Sequence, residues 1–175
     1  MIRGAGAQPS VWALRALIVL GVMVALLAGS WTGYTPPVAL VVLVALGALL
    51  SPFRPEHLSL SITMGLVIFW WGLQLRGEMP GTVLVVAAAL ICAHVAATVL
   101  AYGPPSLPVH PELALLWATR GVLAWMAALV VWVVARAYTG HGTPSFFWLT
   151  GLTAAVIAAV VAGAAVSPRS PGSRP

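Results

Sequence analysis

The chain contains no aspartate and no lysine, and it has one cysteine, Cys92. Eight arginines and three glutamates (Glu56, Glu78 and Glu112) carry all the formal charge on its 175 residues. Each scarcity removes a class of function. A single cysteine inside an apolar stretch permits neither an intrachain disulfide nor a thiolate metal cluster. Three dispersed glutamates make no carboxylate pair for acid–base hydrolysis. Arginines scattered singly, with a net charge of +5, form no clustered basic face, so no nucleic-acid partner is expected. A Walker loop and a dinucleotide fingerprint are absent, and the serines have no neighbouring His–acid frame. His57, His110 and His141 fall in connecting segments, while Cys92 and His94, two residues apart, lie on different helical faces. No catalytic residue, cofactor or metal site is expected, and the chain does not read as an enzyme.

What the chain has in abundance is apolar surface. Hydrophobic residues make up 61% of it and the mean hydropathy is +1.04, a composition that excludes a water-soluble fold. They gather into six stretches, roughly 11–29, 36–50, 58–75, 82–101, 113–135 and 146–166. In hydrocarbon the backbone must satisfy its own hydrogen bonds, and runs of this length do so as helices. The expected fold is all-α: a polytopic bundle of six transmembrane helices with short loops. It forms one domain over residues 1–166, and the Pro-, Ser-, Gly- and Arg-rich residues 167–175 are a disordered cytoplasmic tail.

Arginine placement sets the orientation. With the N-terminus in the cytoplasm, Arg3, Arg15, Arg54, Arg169 and Arg174 face inward, and Arg76 and Arg136 face outward. Both termini are then cytoplasmic, in the plasma (inner) membrane. Aromatic residues weight the outer boundary, where Trp31, Tyr34, Trp70, Trp71, Trp132, Tyr138 and Trp148 fall, over the inner one with Trp12, Phe53, Tyr102 and Trp117. Pro9, Pro36, Pro55, Pro80, Pro111 and Pro144 each precede or begin a stretch, as suits a residue without an N–H to leave unpaired. Thr35 and Thr143 are expected N-caps, and Gly77 and Gly140 mark helix ends.

Two stretches leave alternatives. The second is short: from Pro36 to Leu50 it gives roughly 22 Å of helix against a hydrocarbon core of about 30 Å, and if it were re-entrant the chain would cross five times. The first could be a signal peptide cleaved at Ala28-Gly29-Ser30, but its length and the position of Arg15 favour an uncleaved anchor.

Lipid supplies no hydrophobic force between helices, so close contact between small residues must hold them. The sixth stretch repeats Gly151, Ala155, Ala159 and Gly163, the fourth Ala89, Ala93, Ala97 and Ala101, and the first Gly21, Ala25 and Gly29. These are expected packing faces, within the bundle or between copies in a homo-oligomer.

His94 and Arg120 are the polar side chains inside the stretches that deserve chemical interest, because ionisable groups at membrane depth are costly and commonly functional. Each lies eight positions from the inner end of its helix, a rise of roughly 12 Å, so they share a depth. His94 is expected to accept a hydrogen bond from Arg120, or Arg120 to snorkel to the headgroups and to Glu112 while His94 bonds Thr98. The other distinctive segment runs from Tyr102 through Gly103, Pro104, Pro105 and Pro108 to Pro111. Its four prolines stiffen it either as a brace between two helices or as a docking strip for a protein partner.

The run from His94 through Val95-Ala96-Ala97 to Tyr102-Gly103-Pro104-Pro105 and Leu107-Pro108, with the Trp117/Arg120 helix behind it, resembles a group of small uncharacterised multi-pass membrane proteins of high-GC actinobacteria. Genes of that group tend to lie beside those for MoxR-type AAA+ ATPases and their von Willebrand-type partners. The resemblance covers about a third of the chain and implies an accessory membrane subunit near an ATPase-linked complex. It carries no catalytic or ligand residues. Two function classes follow: a non-catalytic accessory or scaffold subunit that binds membrane or cytoplasmic proteins, and a small transporter or channel subunit using His94 and Arg120. Spans this apolar favour the first, since a path for ions or polar solutes needs polar side chains along it.

Overall fold

The computed structural model describes residues 9–51, 58–75, 80–101 and 111–138. Five helices follow one another: α1 (Pro9–Leu27), which tightens into a 3-10 segment (Ala28–Thr32), α2 (Val38–Leu50), α3 (Leu58–Gln74), α4 (Thr82–Ala101) and α5 (Pro111–Tyr138). The described helices up to Ala137 belong to one compact unit, Met1–Ala137. The expected sixth stretch at 146–166, its packing face of Gly151, Ala155, Ala159 and Gly163, the cap Thr143, the ends at Gly77 and Gly140, and the tail 167–175 lie outside the described residues.

The fold is all-α in the described residues, and three of the helices are long and apolar enough to cross a membrane: Pro9–Thr32, Thr82–Ala101 and Pro111–Ala137. Among the described residues two of the expected crossings, the second and third, fall short. With 13 and 17 residues, α2 and α3 rise only about 20 and 26 Å, short of a hydrocarbon core of about 30 Å. The start of α2 explains part of the shortfall. Pro37 sits at φ −64°, ψ 144°, so the chain stays extended through the double proline and turns helical only at Val38. Pro37 is therefore the N-cap residue, and Thr35 makes no cap.

The end of the first span also differs from expectation. It does not stop at Gly29 but continues to Thr32, where Gly33 adopts φ +85°. Tyr34 N–H donates to the Gly29 carbonyl at 3.0 Å and Gly33 N–H to the Ser30 carbonyl at 3.3 Å, the paired bonds of a Schellman motif. Thr32 Oγ1 adds a bond of 2.9 Å to the same Gly29 carbonyl. Glycine takes this left-handed position without steric cost.

α1 is the centre of the core. Its buried residues Ile18, Val22, Ala25 and Leu26 join Val44 and Ala48 of α2, Val67 and Trp71 of α3, and Ala93 and Ala96 of α4 in one cluster. The small-residue faces of α1 and α4 meet here: a Cβ built on Gly21 would lie 2.7 Å from the Ala89 carbonyl oxygen and 3.0 Å from Ala93 Cβ. The backbones touch because neither side chain holds them apart. α2 and α3 form an antiparallel hairpin, closed at Gly47 against Thr63 and at Ser51 against Ser59. The indole of Trp71 reaches from α3 to donate 2.8 Å to the Ala25 carbonyl, in the last turn of α1 where helix carbonyls lose their regular partners.

Candidate functional site

The two polar residues singled out in the spans flank the α4–α5 contact. A Cβ built on Gly121 would lie 3.1 Å from Val95 and 3.4 Å from Ile91, and Trp125 donates its indole N–H to the Leu84 carbonyl at 3.1 Å. Rising numbers on α5 thus meet falling numbers on α4, so the two helices are antiparallel. His94 and Arg120 each precede a contact residue by one position. A step of 100° back along each of two antiparallel helices turns toward the same side of the pair, so the two side chains share both a depth and a face. Both residues are exposed.

They do not bond each other. Arg120 lies with its guanidinium carbon 4.9 Å from the ring centroid of Trp117, three residues back along α5. Helical side chains lean toward the N-terminus, which brings a long cationic side chain over an indole at i−3, where the ring face attracts it. The stacking takes the place of the expected bond to His94 and leans the guanidinium along α5 toward the end that carries Glu112. His94 engages Thr98, but through the backbone: Thr98 Oγ1 donates to the His94 carbonyl at 2.8 Å, leaving the imidazole without a hydrogen-bond partner among the described residues. The stacking device recurs. Arg15 lies 5.0 Å from the Trp12 ring on α1, and Arg136 5.2 Å from the Trp132 ring on α5.

Two features escaped the sequence reading. One is a cavity of about 340 Å³ between α1 (Ser10, Leu14, Leu17), α4 (Val95, Val99) and Ala114 of α5. Its walls are almost wholly apolar; Ser10 Oγ is buried there without a hydrogen-bond partner among the described residues. The helical spacing of Ser10, Ala13, Leu14 and Leu17 hinted at a common face, but not at a void. The other is a short relay of hydroxyls in the α2–α3 hairpin. Ser59 Oγ donates to Ser51 Oγ at 3.3 Å, Ser51 Oγ to the Gly47 carbonyl at 2.6 Å, and Thr63 Oγ1 to the Ser59 carbonyl at 2.8 Å. Ser51 and Thr63 return their hydroxyls to a carbonyl one turn back on their own helix, and Ser59 hands its hydroxyl to Ser51, ways of satisfying them in an apolar setting.

Of the proline-rich segment, Pro111 is the first residue of α5, the position where a missing N–H costs nothing; Tyr102, Gly103, Pro104, Pro105 and Pro108 lie outside the described residues. Among the described residues no group of three His, Cys, Asp or Glu side chains could hold a metal ion. Comparison with protein-family models, with curated proteins and with solved structures gave no match for this chain.

Proposed function

We propose that the chain is a multi-pass protein of the plasma membrane and serves as a non-catalytic accessory or scaffold subunit of a membrane complex. The observation that carries this reading is the state of α5. It is anchored on α4 through Gly121 and Trp125, while Leu115, Val122, Leu123, Val130 and Val131 are each more than half exposed. Among the described residues nothing covers that face, and its length suits another membrane helix. Thr63 is the one polar residue buried as a whole among the described residues, and apart from Ser10 the cavity beside α1 has apolar walls, which speaks against a passage for ions or polar solutes. The resemblance to membrane proteins encoded beside AAA+ ATPases points toward the same accessory role.

In this reading the chain crosses six times with both ends in the cytoplasm, the bilayer thinning locally around the short α2–α3 hairpin. Because α2 and α3 are paired, they cross or stop short together. A hairpin that stops short leaves four crossings, not five, and the orientation of α4 and α5 is unchanged. Replacing Arg54 with cysteine in a Cys92→Ala background tests this. Six crossings require labelling by an impermeant maleimide from the cytoplasmic side, and labelling from outside the cell removes them.

For the accessory role, cross-linking and mass spectrometry on the purified protein are expected to yield a stoichiometric protein partner. The Pro104→Ala/Pro105→Ala double variant is expected to weaken that association. Solute flux into liposomes carrying the pure protein would overturn the role in favour of a transporter or channel.

A further inference from the structure

Among the described residues Arg120 meets the Trp117 ring and no carboxylate. α4 has 20 residues, about 30 Å of helix, which matches the hydrocarbon thickness and puts the bilayer midplane near Ile91. Gly121 packs between Ile91 and Val95, closer to Val95, so Arg120 lies about a turn to the inner side of the midplane. Leaning back over Trp117 moves the guanidinium about 4.5 Å toward the inner end of α5, leaving roughly 7 Å to the nearer headgroups. An unpaired cation at that depth is strongly disfavoured.

By their place in the sequence, none of the chain's carboxylates is expected at that depth. Glu56 and Glu78 lie outside the six apolar stretches, Glu112 is eight residues away in the first turn of α5, and no other acidic residue exists. A second copy of the chain has the same composition, so self-association brings no carboxylate to this depth either. We infer that the α4–α5 face bearing Arg120 and His94 binds a transmembrane helix of a different protein, one carrying an Asp or Glu near mid-bilayer. The carboxylate accepts hydrogen bonds from the Arg120 guanidinium and from the His94 imidazole, which lies on the same face at the same depth. This inference rests on the accessory-subunit reading and supplies the chemistry of its partner.

The test places a photo-reactive amino acid at Leu116 or Leu123, both exposed and one turn either side of Arg120, in the full chain in its native membrane. The expected adduct maps by mass spectrometry to a transmembrane segment of another protein, with Asp or Glu within a turn of the cross-link. Arg120→Glu is expected to reduce the adduct roughly tenfold, and a carboxylate-to-arginine change in the partner to restore it. His94→Leu should cause a smaller loss. Because Arg120 is exposed, an unchanged elution profile on size exclusion separates loss of pairing from loss of fold. Adducts only to lipid, to a second copy or to a helix without a carboxylate overturn the inference, as does an adduct indifferent to Arg120→Glu. A parallel probe at Val131 keeps the two readings apart. A protein captured there while the Arg120 probes meet only lipid leaves the accessory role standing and removes the charge pair.

Discussion

α1 and α5 look alike on paper and are used in opposite ways. Both open at a proline, both carry a Trp-x-x-Arg sequence with the arginine stacked on the indole, and both are long enough to cross a membrane. Yet 39% of the α1 span is buried against 6% of the α5 span. The difference lies in small residues and their spacing. Gly21, Ala25 and Gly29 give α1 a smooth strip that meets Ala89 and Ala93 at backbone contact, while α5 meets α4 at the single Gly121 with Trp125 beside it. In lipid, where association depends on contact and not on water exclusion, that strip makes α1 the core helix and leaves α5 at the edge.

The strongest way to break the comparison is to roughen the strip. Gly21→Leu drives a side chain into the Ala89 carbonyl, which cannot move without α4, and is expected to cost about 3 kcal/mol. Gly121→Leu meets the end of the Val95 side chain instead, which can rotate, and should cost about 1 kcal/mol. Reversible unfolding in detergent measures both, and equal losses would erase the distinction between the helices.

Tryptophan anchors give a second contrast. Trp71→Phe leaves the buried Ala25 carbonyl without its donor and is expected to cost about 1.5 kcal/mol. Trp125→Phe removes a longer, half-buried bond to Leu84, with an expected loss of about 0.5 kcal/mol in the same assay. Next in size, Gly33→Ala places a Cβ in the left-handed cap that ends the first span. It meets no atom within 4 Å, so the expected cost of about 1 kcal/mol is purely conformational, and a helix end that frays should show as faster amide exchange at Tyr34. The smallest effect belongs to Thr98→Val, which deletes an exposed hydroxyl bonded to a helix carbonyl and should change stability by less than about 0.5 kcal/mol.

Much of this was readable beforehand. Pro9 and Pro111 do begin helices, the fourth stretch and α4 coincide at Thr82–Ala101, and the glycine and alanine faces of the first and fourth stretches pack on each other. The shared depth of His94 and Arg120 also follows from counting residues. The misses arose where local rules compete. Thr35 could cap a helix only if the chain turned helical at once, and two prolines forbid it. Arg120 had a histidine, a glutamate and an indole to choose from. Proximity on its own helix decided in favour of Trp117. Treating the second stretch as crossing or failing on its own missed its pairing with α3, which ties the fate of one to the other.

The chain alone determines its apolar stretches and the helices they form, because length, hydropathy and proline placement act within a few turns of backbone. Which helix becomes the core, which stays at the rim, and where Arg120 stands relative to the middle of α4 depend on registers between residues some seventy or, for Arg120 and His94, twenty-six positions apart. Van der Waals contact falls off within an ångström or so, so those registers exist only once the helices have packed.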